Sequence, residues 1–440
     1  MQPALVQSRA DRLWKWPLAF IGIALVALFY FHEIYALQEV PLANDFSKFY
    51  LSAERLIRGE PIYWPVLAGR NLGDPCYQPP VSEWEDGWAP IPPTFEERQA
   101  CLHSNVNPPV FSILILPLSL LPYETAWWLF SIGSILAGIL SVSLICHSGV
   151  LPNLRPLVNA ALVNVLFFAY FPTFANTSYG QFALYLMLPL TLGWLALRND
   201  QLIKGGIWIG IAASLKPFVA LFLIIFILNR NWRAMLGFLT ASALAFFLSI
   251  IITGPNSFVE YLDVLDGITW HAASWNASFA GFFYRLFGAS NNTPLIQAAT
   301  IAKFLTLFAS LCVLVVVARM SFKGISGLQP LATDWQFAAT IPAMLLLSPL
   351  GWMYYFPILL ISFLILWSAT DAYENPRPVR LMAVLPVIMT LFPTALISSG
   401  STNTPKAWLW DAAIYFYALI IFFIVTLHGI ATVIKKTSKK

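Results

Sequence analysis

Apolar runs of 17 to 24 residues recur along nearly the whole chain. Such runs match the thickness of a bilayer's hydrocarbon core, and only helices that close their own backbone hydrogen bonds can repeat there. Charged residues make up 10% of the sequence, against roughly 25% in ordinary soluble domains. The chain therefore reads as an all-α, polytopic membrane protein. A net charge of +4 gives no reason to expect a nucleic-acid partner.

The first run, about 16–37, follows Arg9, Arg12 and Lys15 and has no small-residue cleavage site after it. It is expected to be a spanning helix with its N-terminus in the cytoplasm, rather than a cleaved signal. The segment 38–107 comes next. It carries ten acidic and five basic residues, a balance that suits the extracytoplasmic side. Cys76 and Cys101 both lie in it, and on an oxidising face they are expected to pair.

Further spans are expected at about 124–146, 157–171, 182–197, 205–215, 217–229, 233–253, 297–318, 335–348, 352–369, 380–397 and 409–434. The short apolar stretch 107–122 is expected as a juxtamembrane or re-entrant helix. Twelve membrane segments result, with both termini cytoplasmic. Sixteen Lys and Arg then fall on cytoplasmic segments and eight on outer ones, with Lys303 inside a span. A second outer loop is expected at 254–296. No internal repeat or flexible linker divides 1–440, so one membrane-embedded domain is expected.

Two stretches suggest chemistry. In Asn44–Tyr63 the apolar residues Phe46, Phe49, Tyr50, Ala53, Leu56 and Ile57 recur at helical spacing, with Asp45 at the start and Gly59 at the stop. This predicts an amphipathic helix along the membrane surface. Asp45 is then either a helix cap or a general base held at the membrane mouth, with Lys48 one turn away. The second stretch surrounds Lys216-Pro217. One continuous helix through it would strand Lys216 mid-bilayer and carry Arg230 and Arg233 outside. Two half-length helices forming a hairpin avoid both, and set Lys216 at an inner turn lining a cavity.

Several motifs point the same way. Asp45-Phe46-x-x-Phe49-Tyr50-x-x-Ala53, then Gly59 and Tyr63, resembles the opening motif of glycosyltransferase family 87. In order, the following pieces also resemble that family: Pro108-Pro109 with Leu121-Pro122, Tyr179-Gly180-Gln181, the Gly-rich run ending in Lys216-Pro217, Asn276-Ala277-Ser278 through Arg285, and Ser348-Pro349 with Trp352. The resemblance implies a GT-C bundle of about twelve helices, with a large extracytoplasmic first loop carrying juxtamembrane helices. It implies an inverting hexosyltransferase of the cell membrane, moving mannose or another sugar from a polyprenyl-phosphate donor to a glycolipid or glycan acceptor.

On that basis Asp45 is expected as the base. Lys216, Arg285 and Lys48 are expected at the donor phosphate, and Tyr50, Gln181, Asn276, His271 and Trp352 at the substrates. Trp270 and Trp275 also suit sugar stacking. The family commonly follows its Trp with Asp-His-His; Met353, Tyr354 and Tyr355 stand here instead. The chain lacks Walker A and GxGxxG motifs, which disfavours a cytoplasmic nucleotide-sugar donor. The His and Cys residues show no metal-ligand spacing, so no cofactor is called for, and a divalent cation on carboxylates stays open. A transporter or flippase would call for repeat symmetry. A non-catalytic envelope-assembly protein would leave Asp45 and Lys216 dispensable.

Overall fold

The computed structural model describes residues 14–38, 45–64, 105–154, 156–268, 270–273, 275–288, 296–322, 331–370, 375–391 and 414–437. Cys76, Cys101 and the bulk of the first loop lie outside the described residues, and so does the pairing expected of those cysteines.

The helices in chain order are α1 (Lys15–Gln38), α2 (Phe46–Ile57), α3 (Pro109–Ser119), α4 (Tyr123–His147), α5 (Leu157–Ala169), α6 (Phe171–Ser178), α7 (Ala183–Arg198), α8 (Leu202–Leu215), α9 (Leu221–Leu228), α10 (Trp232–Thr253), α11 (Asn256–Asp266), α12 (Phe279–Phe287), α13 (Ala299–Phe322), α14 (Leu331–Leu347), α15 (Leu359–Ala369), α16 (Pro376–Met389) and α17 (Ile414–Thr437). Short 3₁₀ turns cover Pro217–Ala220, Trp270–Ala272 and Met353–Ile358. Each expected membrane segment is mainly helical over its described residues. Among the described residues four helices are long and apolar enough to cross a bilayer, namely α1, α4, α10 and α13, and there are five if α5 and α6 are one span bent by 65°. Helix length thus does not confirm the count of twelve crossings. The shortfall has a physical source: α7, α8, α9 and α15 are shorter than a crossing needs, and α7 and α15 are packed inside the bundle. By contrast α1, α10 and α13 turn bulky apolar side chains such as Phe20, Ile251 and Leu307 outward.

The Lys216-Pro217 break forms the expected hairpin. α8 and α10 lie side by side and parallel. Gly206 touches the Ala234 carbonyl and Gly237 the Ile203 carbonyl so closely that a Cβ on either would collide with it. One turn further on, Ser242 Oγ reaches the Gly210 carbonyl at 3.4 Å. Two parallel neighbours require the chain to reverse between them, which it does at Lys216. Proline cannot continue the α8 ladder, and Lys216 takes an extended conformation as its cap.

α7 sets the two ends of the bundle. At its C-terminus Arg198 meets Asp334 of α14, the carbonyl of Ser148 after α4, and the same end carries Asn229–Gln336 at 2.9 Å. At its N-terminus lie Gln181, Asp45, Lys216 and the Met353–Ile358 turn. α7 has 16 residues. At about 1.5 Å per residue the two poles stand roughly 24 Å apart.

Candidate active site

α2 runs between the expected bounds. Asp45 precedes it and Gly59 ends it in a left-handed conformation, φ 71°. Its apolar side faces protein: Phe46 packs on Phe130 at 4.6 Å and Phe49 on Phe111 at 4.7 Å, tying α2 to α4 and α3. Ser52 Oγ lies 2.7 Å from Ser112 Oγ within that contact. The helix is a rigid mount.

Asp45 makes no side-chain capping hydrogen bond. Its backbone N–H donates to the Tyr179 carbonyl at 2.8 Å instead. Of its carboxylate oxygens, Oδ1 accepts from the Lys48 ammonium and Oδ2 from the Gln181 amide. The side chain remains 32% exposed, so it is held yet reachable.

Gly180 explains how Gln181 gets there. It turns the chain at φ 61°, and a Cβ at that position would sit 2.8 Å from Phe46 Cβ and 3.0 Å from the Phe46 amide nitrogen. Only glycine serves both demands. Gln181 N–H then donates to the Asn176 carbonyl at 2.7 Å, and its buried side chain is aimed at Asp45.

Lys216 is buried at the hairpin tip, 5.2 Å from the Tyr355 ring centroid. Among the described residues it has no carboxylate within ion-pair distance. Lys216, Tyr179, Tyr354 and Tyr355 all lie within the electrostatic reach of Asp45. Tyr354 and Tyr355 therefore belong to the site. Sequence alone marked them only as a departure from a family pattern, and their burial was not legible from composition.

Two other motifs form one knot. Asn276 and Trp352 pair as an antiparallel bridge, with Ala277 N–H to the Gly351 carbonyl at 2.8 Å and Met353 N–H to the Trp275 carbonyl at 2.9 Å. Asn276 Nδ2 donates to the His271 and Pro349 carbonyls, while Oδ1 accepts from Ser278 and from Gly351 N–H at 3.0 Å. Its amide is thereby fully used on protein. Arg285 Nη1 donates to the Ala273 and Asn276 carbonyls at 2.7 and 3.0 Å. Burial pushes its pKa down to about 9, so it stays charged at neutral pH. Its Nε and Nη2 have no hydrogen-bond partner among the described residues.

His271 stacks on Tyr284 at 5.0 Å, and burial with the Lys303 charge holds its imidazole below the usual range. Tyr50 spends its hydroxyl on the Leu121 carbonyl at 2.8 Å. The structure thus brings Asp45, Lys48, Gln181 and Lys216 together, with Trp352 beside them through Tyr354. It gives Asn276, Arg285, His271 and Tyr50 contacts that brace the surrounding backbone. Among the described residues no group of three or more His, Cys, Asp or Glu could hold a metal.

An all-helical, membrane-type bundle with a held carboxylate and a buried cation at one pole defines a class: an integral membrane protein with a polar site at one end. The model of glycosyltransferase family 87 matches residues 105–349, more than half of the chain, and the chain belongs to that family. It is a membrane glycosyltransferase. The matched stretch contains Gln181, Lys216, Asn276 and Arg285 and leaves Asp45 and Trp352 on its flanks. No curated protein and no solved structure matches the chain.

Proposed function

We propose that the protein transfers a sugar, mannose in the first instance, from a polyprenyl-phosphate donor to an envelope glycolipid or glycan, with inversion. The reaction takes place on the extracytoplasmic face of the cell membrane. The observation that carries this reading is the state of Asp45: its side chain does not cap α2, is one-third exposed, and is held by Lys48 and Gln181 within reach of buried Lys216.

The acceptor hydroxyl gives its proton to Asp45 as its oxygen attacks the anomeric carbon. The bond from that carbon to the phosphate oxygen breaks on the opposite face, and polyprenyl phosphate departs. A positioned base is worth about 10²–10⁴-fold in rate. Lys216 offsets the charge that grows on the leaving phosphate, in a setting where water screens little. Lys48 reaches the same region from α2. Gln181 fixes the carboxylate's orientation so that one lone pair faces the acceptor. Arg285 and Asn276 hold the loop that frames the site.

The distribution of charge supports this face. Arg198, Lys204, Arg230 and Arg233 gather at the pole opposite Asp45, and cytoplasmic ends collect basic residues. Radiolabelled transfer from polyprenyl-phosphate mannose by the purified protein tests the reading, with Asp45→Asn as the control. Wild-type-like turnover in that variant would sink the assignment of the base.

A further inference from the structure

The site has a charged half and a neutral half. Asp45, Lys48 and Lys216 make the first. The second is a row of rings: Trp275 lies 6.2 Å from Trp352, Trp352 6.1 Å from Tyr354, and Tyr354 6.5 Å from Tyr179. The two middle rings are buried, while the end rings Trp275 and Tyr179 are 46% and 49% exposed.

We infer that the exposed ends of this row, Tyr179 and Trp275, are stacking faces for sugar rings of the acceptor, so that the acceptor is recognised as a carbohydrate and not as a bare lipid. The inference rests on the glycosyl-transfer reading above. Three observations carry it. The row starts at the base: the carbonyl of Tyr179 is the one that holds the Asp45 N–H at 2.8 Å, so a ring lying on Tyr179 puts its hydroxyls beside the carboxylate. The row is also stiff. The Trp275 carbonyl accepts from Met353 N–H, and the Asn276 knot clamps the segment that carries Trp352. A rigid ring costs little entropy on binding. Finally, the row's four side chains carry no charge. A phosphate has its partners on the Lys216 side, beyond Tyr355, which leaves this wall for a neutral occupant. The C–H faces of a pyranose pack on the electron-rich faces of indole and phenol rings, and its rim hydroxyls remain free for polar groups.

The test uses the full-length protein in nanodiscs and octyl α-D-mannopyranoside as the probe. An octyl zwitterion without a sugar serves as the chain control. Saturation-transfer NMR should show contact at the sugar ring protons in the wild type, and this should be clearly weakened in Trp275→Ala. Trp275→Phe keeps a ring and should retain most of the signal, which separates loss of stacking from misfolding. With polyprenyl-phosphate mannose added, Trp275→Ala should raise the KM for the octyl mannoside roughly tenfold, with the loss falling on KM more than on kcat. Equal sugar-ring contact in Trp275→Ala, or contact through the octyl chain alone, would overturn the subsite and leave Trp275 as an interfacial anchor. Ring-dependent sugar binding without transfer by the wild type would keep the subsite and defeat the donor assignment instead.

Discussion

The two ends of α7 each hold a carboxylate, and they hold it differently. At the Arg198 end, Asp334 takes Arg198 Nε at 3.0 Å on both oxygens and Trp194 Nε1 at 2.9 Å, and its side chain is only 7% exposed. At the Gln181 end, Asp45 takes a lysine and an amide and stays 32% exposed. The guanidinium is a planar fork that locks the Asp334 pair, and the Ser148 carbonyl caps it further at 2.6 Å. An ammonium on a flexible stem fixes no such plane. A closed ion pair staples helices together. An open one, with a second cation buried nearby, has capacity left for a substrate.

Breaking each pair should therefore give opposite results. Asp45→Asn should lower turnover by about 10²–10⁴-fold while expression and thermal unfolding in detergent stay near wild type. Asp334→Asn should do the reverse: removing one partner of a buried pair costs about 3–5 kcal/mol, so the melting transition falls while turnover per folded molecule is largely kept. If both variants lose stability and activity in proportion, the contrast between the poles is void.

Lys216→Ala comes next in size. Turnover at limiting donor should fall on the order of ten- to a hundredfold, with the acceptor KM little changed. Titrating donor and acceptor separately measures this, and equal sensitivity to both would return Lys216 to a purely structural role.

Gly180→Ala should act on the same pole through the backbone. A methyl group there meets Phe46 at 2.8 Å in a left-handed conformation, which displaces Gln181 from Asp45. We expect a modest loss of stability, about 1–2 kcal/mol, and a larger loss of turnover. A variant with full turnover would mean that the Gln181 contact does not matter for the reaction.

The smallest effect is a matter of sidedness. A cysteine at Glu60 should react with an impermeant reagent from outside, and one at Asp200 only after permeabilisation. The opposite pattern would reverse the assignment of the faces.

Much of the Asp45 pole was legible before the fold was known. The bounds of α2 follow from its apolar spacing and Gly59. The hairpin follows from a lysine and a proline inside an apolar run flanked by arginines. What resisted was long-range. Nothing local announces that Asn276 divides its amide between its own loop and the backbone of Pro349 and Gly351, or that Arg285 braces that loop rather than facing Lys216. Tyr354 and Tyr355 could be named only as residues out of pattern, because their value comes from Asp45 and Lys216, which reach them from other helices. Helix length does not confirm the count of crossings, for a related reason. Hydropathy registers apolar length, and a half-helix buried among others looks the same as a span cut short.

The hairpin has a mechanical consequence. Asp45 is fastened at the Tyr179 end of the bundle, whereas Lys216 rides on α8, whose foot stands at the far end beside Arg233 and Arg198. The 14 residues of α8 act as a ruler of about 21 Å laid from the opposite face. Base and cation are thus gauged from the two different ends of the bundle. A bilayer that tilts the long outer helices changes the spacing between them. Rate should pass through an optimum as lipid acyl chains are lengthened, as though the membrane's thickness were a tuning screw on the reaction.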